Sequence, residues 1–272
     1  MKIRTIRIVF LASFLTILAV YIMSPNIVTI PMQALYLIFP VAAALIALYA
    51  SRIFGFKSAN GRAILLITGG VVCWGIAEVI GFVLDNFLAV DNLIPRVDSF
   101  FFLLAYPIFG AGIYQCFITS GVKLKQVKKT LLAIVVSISI ILTTLVGYFG
   151  IYQAYDPSVD LLTNIVNIGY GIGDLILIVL SLLTILVASE YKGGKLASFW
   201  KIMTAGFFVF LIADTLFFTM WGDLVVEGTK PYAVIVEMLW VASYQLLTYG
   251  LLENYVHISS VQKSIKLKLS QK

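Results

Sequence analysis

Five acidic residues stand inside or at the edges of strongly apolar stretches: Glu78, Asp98, Asp174, Asp214 and Glu237. A carboxylate in hydrocarbon is costly, so such groups turn inward and mark ligand sites or proton relays. Each has companions at helical spacing. Asp98 is followed by Phe102 and Tyr106, and Asp214 by Phe217, Phe218 and Trp221. Asn164, Asn167, Gly171 and Asp174 recur at i, i+3, i+7 and i+10, and Glu237, Trp240, Tyr244 and Thr248 at i, i+3, i+7 and i+11, with Gln245 adjacent. Side chains three and four apart share a helix face. The pattern predicts an acidic cavity walled by aromatics, with ligand-binding residues Glu78, Asp98, Tyr106, Asn167, Asp174, Asp214, Glu237, Trp240, Tyr244 and Gln245. Only Arg96 and Lys230 lie nearby to balance five carboxyls, which must therefore interact. A proton, an organic cation or an amine headgroup suits such a site, aromatic faces adding cation–π attraction. In the opposing reading, the same carboxyls only hydrogen-bond Tyr, Asn and Trp partners and fix helix packing.

Other chemistries have little to work with. The single histidine, His257, stands near the end of the last apolar stretch, which removes bis-His haem and His-rich zinc sites. No lysine falls mid-span to form a retinal Schiff base, and neither G-x-x-x-x-G-K-[ST] nor G-x-S-x-G occurs. No cofactor or metal is expected. Paired carboxylates can perform acid–base hydrolysis, but no nucleophile can be placed beside them.

The elements that must position these residues are membrane helices. The 272 residues are 61% hydrophobic and 12% charged, with a mean hydropathy of +1.03. A spanning helix needs roughly 20 apolar residues. Eight windows qualify, at 6–23, 33–54, 63–84, 97–119, 130–150, 166–189, 200–221 and 232–253. The expected class is all-α, polytopic, with eight transmembrane helices in two parallel four-helix repeats.

Charge placement sets the topology. Of the nineteen basic residues all but two, Arg96 and Lys230, fall before the first helix, in the 2–3, 4–5 and 6–7 loops, or in the tail. Short Lys- and Arg-rich loops stay cytoplasmic, which puts both termini inside and predicts residence in the cytoplasmic membrane. The net charge of +6 is thus explained by topology, and no nucleic-acid partner is expected. Glu78 then lies roughly 10 Å below the outer end of its helix at 1.5 Å per residue, with Asp214 and Asp174 at similar depth. Asp98 and Glu237 stand at the outer mouths. The first apolar run is long for a signal peptide and lacks an A-x-A-like site, so it reads as a retained anchor. Cys73 and Cys116 both sit within spans and suggest no disulfide framework.

The halves echo each other. At an offset of 136, Gly70, Glu78 and Pro95 fall on Gly206, Asp214 and Pro231, and at 134 Tyr36 and Pro40 fall on Tyr170 and Asp174. Four helices return the chain to its starting side, so the copies share one orientation. The divisions are 1–128, 129–255 and a basic tail at 256–272, where Ile258, Val261, Ile265 and Leu269 alternate with Lys and Ser. That tail is read either as an amphipathic segment on the inner leaflet or as a solvated end. Gly69, Cys73, Ala77 and Gly81 form a small-residue stripe suited to close helix packing. Pro40 and Pro107 are expected to loosen helices 2 and 4.

Two families are similar in these motifs. Asp98-x-x-Phe-Phe-Leu-Leu-Ala-Tyr-Pro, Gly173-Asp174 and Ile212-Ala213-Asp214-x-x-Phe resemble multi-helix bacterial and archaeal sensor modules that precede diguanylate cyclase, phosphodiesterase or histidine kinase domains. That resemblance implies a sensing or ligand-binding role for Asp98, Asp174 and Asp214. With no effector domain after Lys272, output is expected through a separate cytoplasmic partner. Ala77-Glu78, Ala213-Asp214 and Ser243-Tyr244-Gln245 resemble the lysoplasmalogenase-like lipid hydrolases, with Glu for Asp in the first slot and Ala for Ser in the second. In that case Glu78 and Asp214 would be catalytic acids. The sequence therefore points first to an integral membrane sensor or ligand-binding module taking a small cationic or lipid ligand. A lipid-headgroup hydrolase and a small-solute or proton-coupled transporter are the alternatives.

Overall fold

The computed structural model describes residues 3–23, 30–55, 57–88, 95–121, 125, 127–190, 195–225 and 230–270. Eight helices account for almost all of these: α1 (Ile3–Met23), α2 (Ile30–Phe54), α3 (Ala59–Val83), α4 (Val97–Thr119), α5 (Lys129–Val146), α6 (Leu161–Glu190), α7 (Lys195–Val225) and α8 (Lys230–Ser270). Wider π turns extend α3 to Leu88 and α5 to Tyr152. No strand occurs among the described residues. Six helices are long and apolar enough to cross a membrane, within Gly61–Leu88, Val97–Thr119, Lys129–Tyr152, Leu161–Leu186, Ser198–Phe217 and Val234–Val261. The described apolar parts of the other two, Arg7–Met23 and Leu37–Ile53, are shorter. The protein is an all-helical, membrane-type bundle.

Six helices close into a ring in the spatial order α2, α3, α4, α6, α7, α8, with α8 packed back onto α2. The two outer helices attach from outside, α1 on α8 and α5 on α6. The outward surface is apolar, as lipid contact requires. On α5 only Val135 and Val146 are buried, while Ile134, Val136, Ile140, Ile141 and Leu145 face out. Water would penalise so large an apolar face, whereas hydrocarbon does not.

The tightest seams are α3–α4 and α7–α8, and small residues make them. A Cβ on Gly70 would lie 2.6 Å from the Phe109 ring, and one on Gly112 would lie 2.9 Å from Ile67. The same arrangement seats α8 on α7, where Gly206 faces Leu247 at 3.0 Å and Gly250 faces Met203 at 3.2 Å. The Gly69–Gly81 stripe also serves α3–α4 packing, since Gly69 meets Ile108 and Gly81 meets Asp98. Buried threonines tie neighbouring helices in the same matched way. The Thr68 hydroxyl oxygen lies 3.2 Å from the Ala47 carbonyl and that of Thr204 3.2 Å from the Ser181 carbonyl, while each makes a shorter bond to its own helix, to Ile64 at 2.8 Å and Trp200 at 2.9 Å. Both prolines are carried within unbroken helices, Pro40 buried in α2 and Pro107 exposed on α4.

Several residues of the sequence reading lie outside the described ones. Lys2, Lys123, Lys192 and Lys272 do so entirely. The side chains of Arg4, Tyr36, Lys195, Phe218, Trp221, Lys230, Pro231, Ile265, Lys266, Lys268 and Leu269 do as well.

Candidate functional site

The ring is filled by aromatics. Trp74 on α3 is fully buried and stacks on Phe210 of α7, centroids 4.3 Å apart and planes at 11°. Around this pair stand Phe109 at 4.7 Å, Tyr106 at 6.0 Å and Tyr244 at 6.1 Å. Trp74 lies one helical turn before Glu78, and Phe210 one turn before Asp214. The stacked rings therefore bring the two acids' helix faces toward each other across the ring.

Tyrosines from the opposite sides meet those acids. Tyr106 of α4 donates its hydroxyl to Asp174 Oδ1 of α6 at 2.9 Å, and the same oxygen lies 3.4 Å from Asp214 Oδ2 of α7. Trp240 of α8 donates its indole N–H to Asp214 Oδ1 at 2.7 Å. Tyr244, also on α8, donates to Glu78 Oε1 at 2.6 Å. Gly173 makes room for this arrangement, because any side chain there would run into the Tyr106 ring. Tyr170 stands beside this group, 6.5 Å from Tyr106, ring to ring. Tyr106, Asp174 and Asp214 are 2%, 5% and 6% exposed, so the cluster is closed. Two unit charges about 4 Å apart repel by roughly 4 kcal/mol even at an effective dielectric of about 20. None of the described ion pairs involves Asp174 or Asp214.

Glu78, Tyr106, Asp174, Asp214, Trp240 and Tyr244 thus come together. The remaining candidates lie elsewhere. Asp98 is gripped by Arg96, with Nε 3.2 Å from Oδ1 and Nη2 2.7 Å from Oδ2, and Arg96 also pairs with Asp85 at 2.6 Å. This ion-paired group sits at the N-terminal end of α4. Glu237 is half-buried, and its electrostatic neighbour is Tyr21 of α1. Gln245 points to α1 as well, donating to Ser13 Oγ at 3.2 Å. Asn167 is half-buried without a polar partner among the described residues. Asn164 pins the α5–α6 connection, exchanging 2.8 Å and 2.7 Å bonds with the Asp156 backbone.

That connection and the start of α6 are built on two exposed acids. Asp160 accepts from the Thr163 hydroxyl at 2.5 Å and from the Thr163 and Leu162 amides at 3.0 and 2.9 Å. Together these donors hold its carboxyl below the ordinary aspartate range. The Ser158 hydroxyl and amide do the same for Asp156.

Spacing also contained a second polar group, which the acid search passed over. Gln245, Tyr249, Glu253 and His257 recur every four residues along α8. At the end of this stripe Arg7 of α1 donates to the Tyr249 hydroxyl at 2.7 Å, and Ser198 of α7 donates to Glu253 at 3.1 Å. The stripe clips α1 and α7 to α8. Trp74 and Tyr170 were missed too. The i−4 relation of Trp74 to Glu78 was the available signal.

Two hollows elsewhere are apolar grooves. One, of about 260 Å³, lies along α2 and α3 beside Ala44 and Gly75; the other, of about 350 Å³, lies between α1 and α2 beside Phe10 and Phe39. Neither touches an acid. Among the described residues no group of three or more His, Cys, Asp or Glu side chains could hold a metal ion. The two cysteines are free thiols. What the buried cluster offers chemically is two carboxyls under one phenol, a third under another, and an indole donor.

The comparisons find no match. No family model, no curated protein and no solved structure matches the chain, so its function is read from the cluster itself.

Proposed function

We propose that the chain is an integral membrane sensor or ligand-binding module of eight spans, with both termini cytoplasmic and its binding residues at the seam between two like-oriented quartets. The observation that carries this reading is an exchange of tyrosines. Tyr106 of the first quartet reaches Asp174 and Asp214 of the second, while Tyr244 of the second reaches Glu78 of the first. Residues at matching positions do matching work elsewhere: Thr68 and Thr204, Gly70 and Gly206, Trp74 and Phe210. Any event that changes what the acids accept must therefore change how the quartets hold each other.

The route outward is α8. It carries Trp240 and Tyr244 and continues unbroken to Ser270. At 1.5 Å per residue its 41 residues span about 62 Å, against about 30 Å for a hydrocarbon core. The surplus reaches the cytoplasm, where a separate signalling partner would read it. Spin labels at Ile118→Cys on α4 and Val261→Cys on α8, with Cys73 and Cys116 replaced by alanine, measure the coupling. Tyr244→Phe and Asp214→Asn should each shift the interlabel distance distribution in lipid nanodiscs. Identical distributions in all variants would overturn the sensor reading.

A further inference from the structure

We infer that the stimulus this site takes is a proton, bound between Asp174 and Asp214 beneath the Tyr106 hydroxyl. Its role as a stimulus rests on the sensor reading; its presence between the carboxyls does not.

Hydrogen counting leads there. The Tyr106 phenol has one hydrogen, and the 2.9 Å contact assigns it to Asp174. The 3.4 Å contact from the same oxygen to Asp214 then has no hydrogen in it unless Asp214 supplies one. Both carboxyls converge on that one hydroxyl oxygen in a closed site, and a proton on either removes the repulsion between them. Trp240 satisfies Asp214 Oδ1 and adds no charge.

Among the described residues, the groups that face the pair come from α3, α4, α6 and α8. From α3 comes Glu78, already bonded to Tyr244 of α8. From α4 come Tyr106 and, toward its N-terminal end, Asp98, whose Arg96 partner is shared with Asp85. From α6 comes Tyr170, whose ring lies 6.5 Å from that of Tyr106. Glu237 on α8 interacts with Tyr21. None of these brings a positive charge to Asp174 or Asp214. A cationic ligand could balance them, but Gly173 lies so close to the Tyr106 ring that even a methyl group has no room there. An organic cation would have to part α4 from α6. A proton needs no volume.

The test is infrared difference spectroscopy on the full chain in lipid nanodiscs, across a pH series, with the aspartate side-chain carboxyl carbons isotope-labelled. The expected result is a carboxylic-acid C=O band that moves with the label and is lost on alkalinisation. Asp214→Asn and Asp174→Asn should each abolish that band, and Tyr106→Phe should shift its frequency. Absence of any titrating labelled band in the wild type overturns the proposal, and that measurement needs no variant to fold. A band that persists unchanged in both Asn variants overturns it too. The α4–α8 spin-label distance on the same samples separates the two claims. A titrating band without a distance change leaves the bound proton and removes the sensor; a distance change without the band does the reverse.

Discussion

Tyr106 does the work of two residues, since it satisfies Asp174 and stands over Asp214 from inside a closed aromatic wall. Removing its hydroxyl takes the donor from the buried Asp174 acceptor, which costs about 1–3 kcal/mol. Tyr106→Phe should therefore lower the melting temperature in detergent, and Tyr244→Phe should do so through Glu78. Gly173→Ala pushes a methyl group into the Tyr106 ring and should destabilise by about 1–3 kcal/mol. Gly147→Ala, with nothing within 4 Å of its new Cβ, should change the melting temperature little. At the α6 start the sign of the pH effect is fixed by the lowered Asp160 carboxyl. Its contribution is present above the unfolded aspartate range and lost as pH falls through the lower folded value. The protection factors of the Leu162 and Thr163 amides, taken relative to the intrinsic exchange rate at each pH, should fall on acidification in the wild type, and Asp160→Asn should flatten that dependence. The matched spacing of Gly70–Glu78 and Gly206–Asp214 was legible in the sequence because helical periodicity assigns faces. The partners were not, because periodicity does not say which face meets which. Gln245 shows the difference: one residue beyond Tyr244 rotates a side chain by about 100°, from the acids to Ser13.

Helices were the most legible level. The window at 97–119 coincides with α4, and the others fall within their helices or end in the π turns that extend them. Apolar runs long enough to span are hard to mistake. What hydropathy could not give was the end of α8. Glu253, Asn254 and His257 lower the local apolar content near residue 253, yet the helix continues to Ser270. Polarity ends a hydropathy window without ending a helix, since these residues carry no strong breaker. The same polar stripe holds α1 through Ser13 to Gln245 and through Arg7 to Tyr249 and Glu253. Ser13→Cys with Gln245→Cys should be bridged by a short bifunctional thiol cross-linker in a background lacking Cys73 and Cys116. Failure to cross-link would displace α1 from this seam.

For the molecule as a whole, the proposed orientation makes a direct prediction. Ser158→Cys, in the α5–α6 connection, should react with a membrane-impermeant maleimide added to intact cells. Ser120→Cys, in the α4–α5 connection, should react only after the membrane is breached. The reverse pattern would invert the topology. The ring of six helices also explains why the acids group as they do: a closed circuit leaves a single interior, and Trp74 with Phe210 occupies its middle. Sequence could not reveal this circuit, because the α4–α6 contact skips a helix and the α8–α2 contact joins helices with five others between them in the chain. One consequence is optical. The indole of Trp240 donates directly to Asp214, and indole emission responds to the charge and polarity beside its nitrogen. The protein therefore carries an intrinsic fluorophore wired to its most interesting carboxyl, and its colour can be followed without attaching anything.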